Sequence, residues 1–196
     1  MRVRRSAIVF LGAVFALSAC NVNVKKGNDG DNKNVDIKTP FGEIHVDKGA
    51  DVRDTGLPLY AGARLKHKDE GGDEKSANVD ISTSAFGLKV VALEYETDDP
   101  PSKVASYYQA QLRKLFGNVL ECHTSHRGHY GPGGGEYGGG SSDKQELKCE
   151  GDNTGNTIEL KAGNRSNQHI VSIEPQGKGS DFALVYVRTR GKEDTI

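Results

Sequence analysis

The sequence predicts an α+β domain: an antiparallel sheet packed against one main helix, with an N-terminal β-hairpin. Two observations carry this. Short segments that alternate apolar and polar residues recur along the chain, separated by turns rich in Gly, Asn and Pro. One segment alone, following Asp98-Asp99-Pro100-Pro101, carries apolar residues at helical spacing. A sheet covered on one face by a helix is the layer arrangement this pattern suits.

The elements follow in chain order. Residues 35–46, VDIKTPFGEIHV, read as a hairpin. Val35 and Ile37 alternate with Asp36 and Lys38, and Ile44 and Val46 alternate with Glu43 and His45. Thr39-Pro40-Phe41-Gly42 supplies the turn, where proline fixes φ and glycine allows positive φ. A lone hairpin is marginal in water, so it must pack on something. Residues 47–56 are a polar linker, and the main domain, 57–190, opens at Leu57-Pro58-Leu59-Tyr60-Ala61-Gly62-Ala63.

KHKDEGGDEKS at 66–76 is a charged turn. Val79 and Ile81 alternate, then Phe86, Leu88 and Val90, and Val91, Leu93 and Tyr95 continue in the opposite phase. Such a switch implies a bulge or a strand buried on both faces. In the helix, Val104, Tyr108, Leu112 and Leu115 form the stripe, widened by Ala105 and Phe116, and Gly117 is the stop. Asp98 and Asp99 are expected to cap it, ahead of proline in the first turn, rather than to act as an acid–base pair. Tyr108 is expected in the core and Tyr107 at its rim. Val119–Cys122, Gln145–Cys149, Thr157–Ala162, Gln168–Glu174 and Phe182–Arg188 read as further strands. Gly163-Asn164 and Gly177-Lys178-Gly179-Ser180 mark turns. No internal repeat of fixed period is present.

Upstream of all this, Arg2, Arg4 and Arg5 precede an apolar run from Ala7 to Leu17, too short to span a bilayer as a helix. Small residues Ser18 and Ala19 then lead to Cys20, so residues 1–19 read as a secretory signal peptide. Leu17-Ser18-Ala19-Cys20 resembles the lipobox of bacterial lipoproteins. That resemblance implies cleavage before Cys20, diacylglycerol on its thiol and acylation of the new amino terminus. Several acyl chains together hold a protein firmly at a membrane, where one alone binds marginally. The other reading of Cys20 is an ordinary thiol beside a standard cleavage site. Asn21 follows, where an aspartate would favour inner-membrane retention, so the same resemblance implies the outer membrane. Residues 20–34, polar after the cysteine, read as a disordered tether.

Losing Arg2, Arg4 and Arg5 with the leader takes the formal charge from -1 to -4. That balance gives no general attraction to nucleic acid or anionic lipid. Cys122 and Cys149 remain as a pair in an oxidising compartment, which reads as a disulfide. Two buried thiols and a zinc site are the alternatives. Between the cysteines lies a Gly/His-rich loop, 123–144. His123, His126 and His129 could ligate Zn, Cu or Ni. Incidental histidines in a solvated loop are the simpler reading, because Gly128 and Gly131 oppose a helix that would align the imidazoles. The run Gly131–Gly140 lacks the lysine and following helix of a phosphate cradle. Neither Ser125 nor Ser141 lies in a nucleophile elbow, and no zinc-protease, redox or dinucleotide motif is present.

"LPLYAGA" and "GLKVVALEYETDDPPSKVASYYQAQLRKLFGNVLEC" resemble uncharacterised bacterial envelope lipoproteins over about residues 57–122, with Val104, Tyr107, Tyr108 and Leu112 matching their helix. The resemblance implies no catalytic residue and no cofactor. The expected function is a lipid-anchored cell-envelope protein acting as a binding or interaction module. It would touch the membrane through Cys20 and bind an envelope protein or small ligand, not nucleic acid. A metal-binding protein using the three histidines is the alternative, and a small hydrolase without a recognisable motif ranks last.

Overall fold

A computed structural model describes residues 21–26, 33–47, 49–66, 76–125, 146–149 and 153–191. They form one antiparallel sheet of ten strands and one α-helix, which is the predicted α+β class. The strands are β1 (Asn21–Lys26), β2 (Lys33–Thr39), β3 (Gly42–Asp47), β4 (Arg64–Leu65), β5 (Ser76–Thr83), β6 (Phe86–Thr97), β7 (Val119–Thr124), β8 (Thr157–Asn164), β9 (Asn167–Gln176) and β10 (Gly179–Gly191). Their spatial order is β1-β2-β3-β5-β6-β10-β9-β8-β7, with β4 also on β6. Helix α1 (Pro101–Phe116) joins β6 to β7 and lies on β7, β8, β9 and β10. A short 3-10 helix, Val52–Thr55, precedes β4.

The core lies between α1 and one sheet face. Val104, Tyr108 and Leu112 are fully buried, at the i, i+4 spacing that stacks side chains on one face. They join Leu93, Tyr95, Leu160, Val171, Ile173, Phe182 and Leu184 in one cluster. Each such side chain contributes about 1.5–3 kcal/mol on burial. Leu115, expected in this stripe, is 49% exposed, and Phe116 packs inward instead. The reason is angular: Val104, Tyr108, Leu112 and Phe116 keep a strict four-residue step, and Leu115 sits a residue off that row.

The phase switch in β6 is not a bulge. Its register is unbroken against β5 and against β10. Instead the buried side changes along the strand. Leu88, near its start, is buried on the face away from α1, whereas Val91, Leu93 and Tyr95 are buried in the core cluster on the α1 side. The core cluster reaches only the far half of β6, on which the 3-10 helix also packs, so the near half relies on its other face.

That other face extends through the predicted hairpin, which is β2–β3. It does not pack as a separate layer but joins the sheet edge-on, β3 pairing with β5. Val35, Val46, Val79, Val90 and Val187 stand in one row across five strands. Ile37, Ile44, Ile81 and Leu88 make the next. Cross-strand pairs of β-branched residues stabilise a sheet by roughly 0.2–1 kcal/mol each.

Three expectations need correction. The tether expected over 20–34 is a strand at Asn21–Lys26, paired with β2. Its NVNV alternation suits a strand, and the open edge of β2 supplies its backbone partners. The strand expected at Gln145–Cys149 is absent from its described residues, 146–149, which are irregular. Asp98 and Asp99 do not cap α1: Pro100 is the N-cap, with no side-chain hydrogen bond. Finally, β4 and β5 occupy one lane beside β6. Leu65 faces Tyr95, the Lys66 N–H donates to the Glu94 carbonyl at 2.8 Å, and Ser76 faces Leu93. The charged turn expected at 66–76 lies, over 67–75, outside the described residues.

Candidate functional sites

The sequence directs attention first to the neck of the Gly/His-rich loop. Cys122 and Cys149 form the expected disulfide, with Cα atoms 5.5 Å apart. Cys122 is fully buried on the sheet face away from α1, because its partner across the ladder is Glu159 on that face. Alternation then turns Glu121 and His123 toward the helix side. There the Gln109 Nε2 amide donates to Glu121 Oε2 at 3.0 Å, and His123 Nε2 lies 3.3 Å from Glu121 Oε1. The His123 backbone N–H donates to Asn153 Oδ1, and the Gly155 N–H donates to the His123 carbonyl. His123 is thus held on an edge strand beside a carboxylate. His126, His129 and most of the loop, like Cys20, lie outside the described residues. Among the described residues, no group of three or more His, Cys, Asp or Glu side chains could hold a metal.

The histidine with the most developed surroundings is a different one, His169 on β9. It is 7% exposed, stacked on Phe116 at 4.0 Å between ring centres and tilted against Tyr186 at 4.9 Å. Its Nδ1 lies 2.8 Å from the Thr55 carbonyl, so that nitrogen carries a proton and donates. Burial lowers its pKa, and the bond to Thr55 opposes the shift. Gly56 makes this approach possible. It takes the left-handed conformation at φ 70° that ends the 3-10 helix, and a Cβ there would meet His169 Cε1 at 3.1 Å. His169 is a core pin that fastens the segment before β4 to the sheet.

A tyrosine cluster lies at the start of α1. The buried Tyr108 hydroxyl accepts a hydrogen bond from the Tyr60 backbone N–H at 3.2 Å. The Tyr60 hydroxyl donates to Asp99 Oδ2 at 2.7 Å, and Lys103 Nζ reaches Asp99 Oδ1 at 2.8 Å. Lys103 and then Tyr60 hold the Asp99 carboxyl below its ordinary pKa, while burial pushes the Tyr108 phenol up. Tyr107 stands at the rim, edge-on to Tyr60 at 5.1 Å. Asp99 therefore anchors side chains, where the sequence suggested a cap.

Beside it, Arg64, Glu96, Asp98, Lys178 and Asp181 line a shallow polar cleft. Arg64 donates to Glu96 at 3.2 Å and forks onto Asp98 at 3.0 and 3.2 Å. Lys66 pairs with Asp181. Arg64, Glu96 and Asp98 thus form one charge group and Lys66 with Asp181 another, the pattern of structural ion pairs. On the face away from α1, Lys161 and Glu159 form a second pair at 3.0 Å, with side chains only 8% and 5% exposed.

No family model, no curated protein and no solved structure matches the chain.

Proposed function

We propose that the protein is a lipid-anchored cell-envelope protein whose α+β domain serves as a binding or interaction module. The observation that carries the reading is Leu17-Ser18-Ala19-Cys20, set after an arginine-rich start and an apolar run. The Cys122–Cys149 disulfide supports it, since such bonds persist in oxidising compartments. Among the described residues, no helix is long and apolar enough to cross a membrane. The asymmetry of the sheet supports a role in contact rather than chemistry. Its β2–β3–β5 part carries valine and isoleucine on one face and Asp36, Lys38, Glu43, His45 and Asp80 on the other. Asn21 after Cys20, where an aspartate would favour the inner membrane, favours the outer membrane.

Detergent phase partitioning tests the anchor: wild type enters the detergent phase and Cys20→Ala stays in the aqueous phase. Crosslinking in intact cells, with photoreactive residues at exposed positions such as Lys114, tests the module. A reproducible envelope partner or ligand adduct is the expected result. Blank crosslinking from every exposed face, in several growth conditions, counts against it.

A further inference from the structure

We infer that the end of the sheet carrying Phe41 and Phe86 is a bilayer-contacting tip, so that the domain stands end-on at the membrane with α1 directed away. The inference rests on the reading of Cys20 as the anchor and adds an orientation to it. The pairing register brings four features to one end. Asn21, the first residue of β1, lies opposite Lys38. Lys38 is next to the Thr39–Gly42 turn that bears Phe41. Gly42 faces Thr83, which places the β5–β6 turn and Phe86 alongside. Gly191, the end of β10, faces Phe86. Cys20 precedes Asn21 by one Cα step, about 3.8 Å. The acylated residue is therefore covalently bound to begin at this end.

The side chains there suit an interface with lipid. Phe41 is 83% exposed and Phe86 40%, and Pro40 and Ala85 beside them are exposed too. The turns are held side by side: a Cβ on Gly42 would lie 2.4 Å from the Ser82 carbonyl oxygen, so only glycine permits the approach. The two rings thus project from a fixed platform. Around them stand Arg190 and Lys38, the latter paired with Glu43 at 3.2 Å, and the row behind holds Lys89 and Arg188 against Asp80 and Asp36. Exposed aromatic rings with Lys and Arg side chains beside them suit an interfacial contact with lipid. The other large exposed apolar residues among those described, Leu59 and Leu115, are away from this end. Leu59 adjoins Tyr60, at the Thr97 end of β6. The nine residue steps from Phe86 to Tyr95 amount to about 30 Å.

The absence of tryptophan makes the test direct. Phe41→Trp, Phe86→Trp and, as the distant control, Leu59→Trp each place a single reporter in the full-length lipidated protein. Each protein is reconstituted into anionic vesicles with and without brominated acyl chains. Flotation is measured first, then emission. The inference predicts that all three variants float. Emission from the Phe41→Trp and Phe86→Trp proteins should shift to the blue and lose most of its intensity with brominated lipid, and that from Leu59→Trp should be unaffected. Proteins that float without quenching at the two tip positions overturn the orientation while leaving the anchor intact. A protein that does not float overturns the anchor, and the orientation with it. A blue shift that appears without lipid and grows with protein concentration assigns the tip to a second copy and overturns the inference. Hydrogen exchange on the unmutated protein gives an independent reading: amides of 41–42 and 84–86 exchange more slowly on vesicles, and unchanged rates contradict the proposal.

Discussion

Opening the Cys122–Cys149 bond releases a loop that spans 27 positions of sequence separation, a closed ring of 28 residues. On the chain-entropy account, the crosslink removes roughly 3.5 kcal/mol of disorder from the unfolded state. The native state loses little, because the bond joins edge strand β7 to an irregular segment rather than two core elements. Reduction by dithiothreitol is the cleanest perturbation, since it deletes no atoms from the fully buried Cys122 site. With a urea slope of about 2 kcal/mol/M, the unfolding midpoint should fall by about 1.8 M on reduction. Equilibrium unfolding followed by circular dichroism, in oxidised and reduced samples, measures it. A shift below about 0.3 M would refute the reasoning, and would mean that the unfolded loop is already restrained or the native bond strained.

Other outcomes follow from single contacts. Tyr108→Phe leaves the Tyr60 N–H without its buried acceptor and should cost about 1–3 kcal/mol in urea unfolding; no change would mean that water takes over the bond. Lys161→Met removes the ammonium 3.0 Å from the buried Glu159 carboxylate and should cost about 3–5 kcal/mol, whereas Lys161→Met with Glu159→Leu should recover most of it. A double variant as unstable as the single one would contradict that account. The pH response has a definite sign. His169 has a folded pKa below its unfolded value, so the unfolded state binds the proton first, and stability declines as pH falls below about 6.5. Asp99 acts in the same direction at lower pH: its contribution is present above about pH 4 and is lost as pH falls through its depressed folded pKa. A urea midpoint that stays flat from pH 7 to pH 5, or an NMR titration placing His169 above 6.5, would contradict the burial argument.

Much of this was legible in the sequence because burial leaves a period. Val104, Tyr108 and Leu112 announced α1, and the alternations at 79–95, 157–162, 168–174 and 182–188 announced β5, β6, β8, β9 and β10. What stayed hidden depends on contacts distant in the chain. Asp99 looks like a cap until Tyr60, 39 residues away, brings its hydroxyl to it. His169 reads as an ordinary strand residue, since nothing local shows that Thr55 lies 114 positions off and beneath it. The alternation in Asn21–Lys26 was present, but the polar composition suggested a tether, and only pairing with β2 decides the matter. The switch of phase in β6 was visible, yet its cause is that the core cluster reaches only half of that strand. The Phe41–Phe86 tip could not be read at all, because it depends on the register between β3 and β5.

The central claim is that this domain is held at a membrane by lipid on Cys20. Metabolic labelling with an alkyne fatty acid, followed by click detection on the purified protein, tests it most directly. Wild type should carry the label and Cys20→Ala should carry none. Equal labelling of the two, or an unlabelled wild type, would contradict the account.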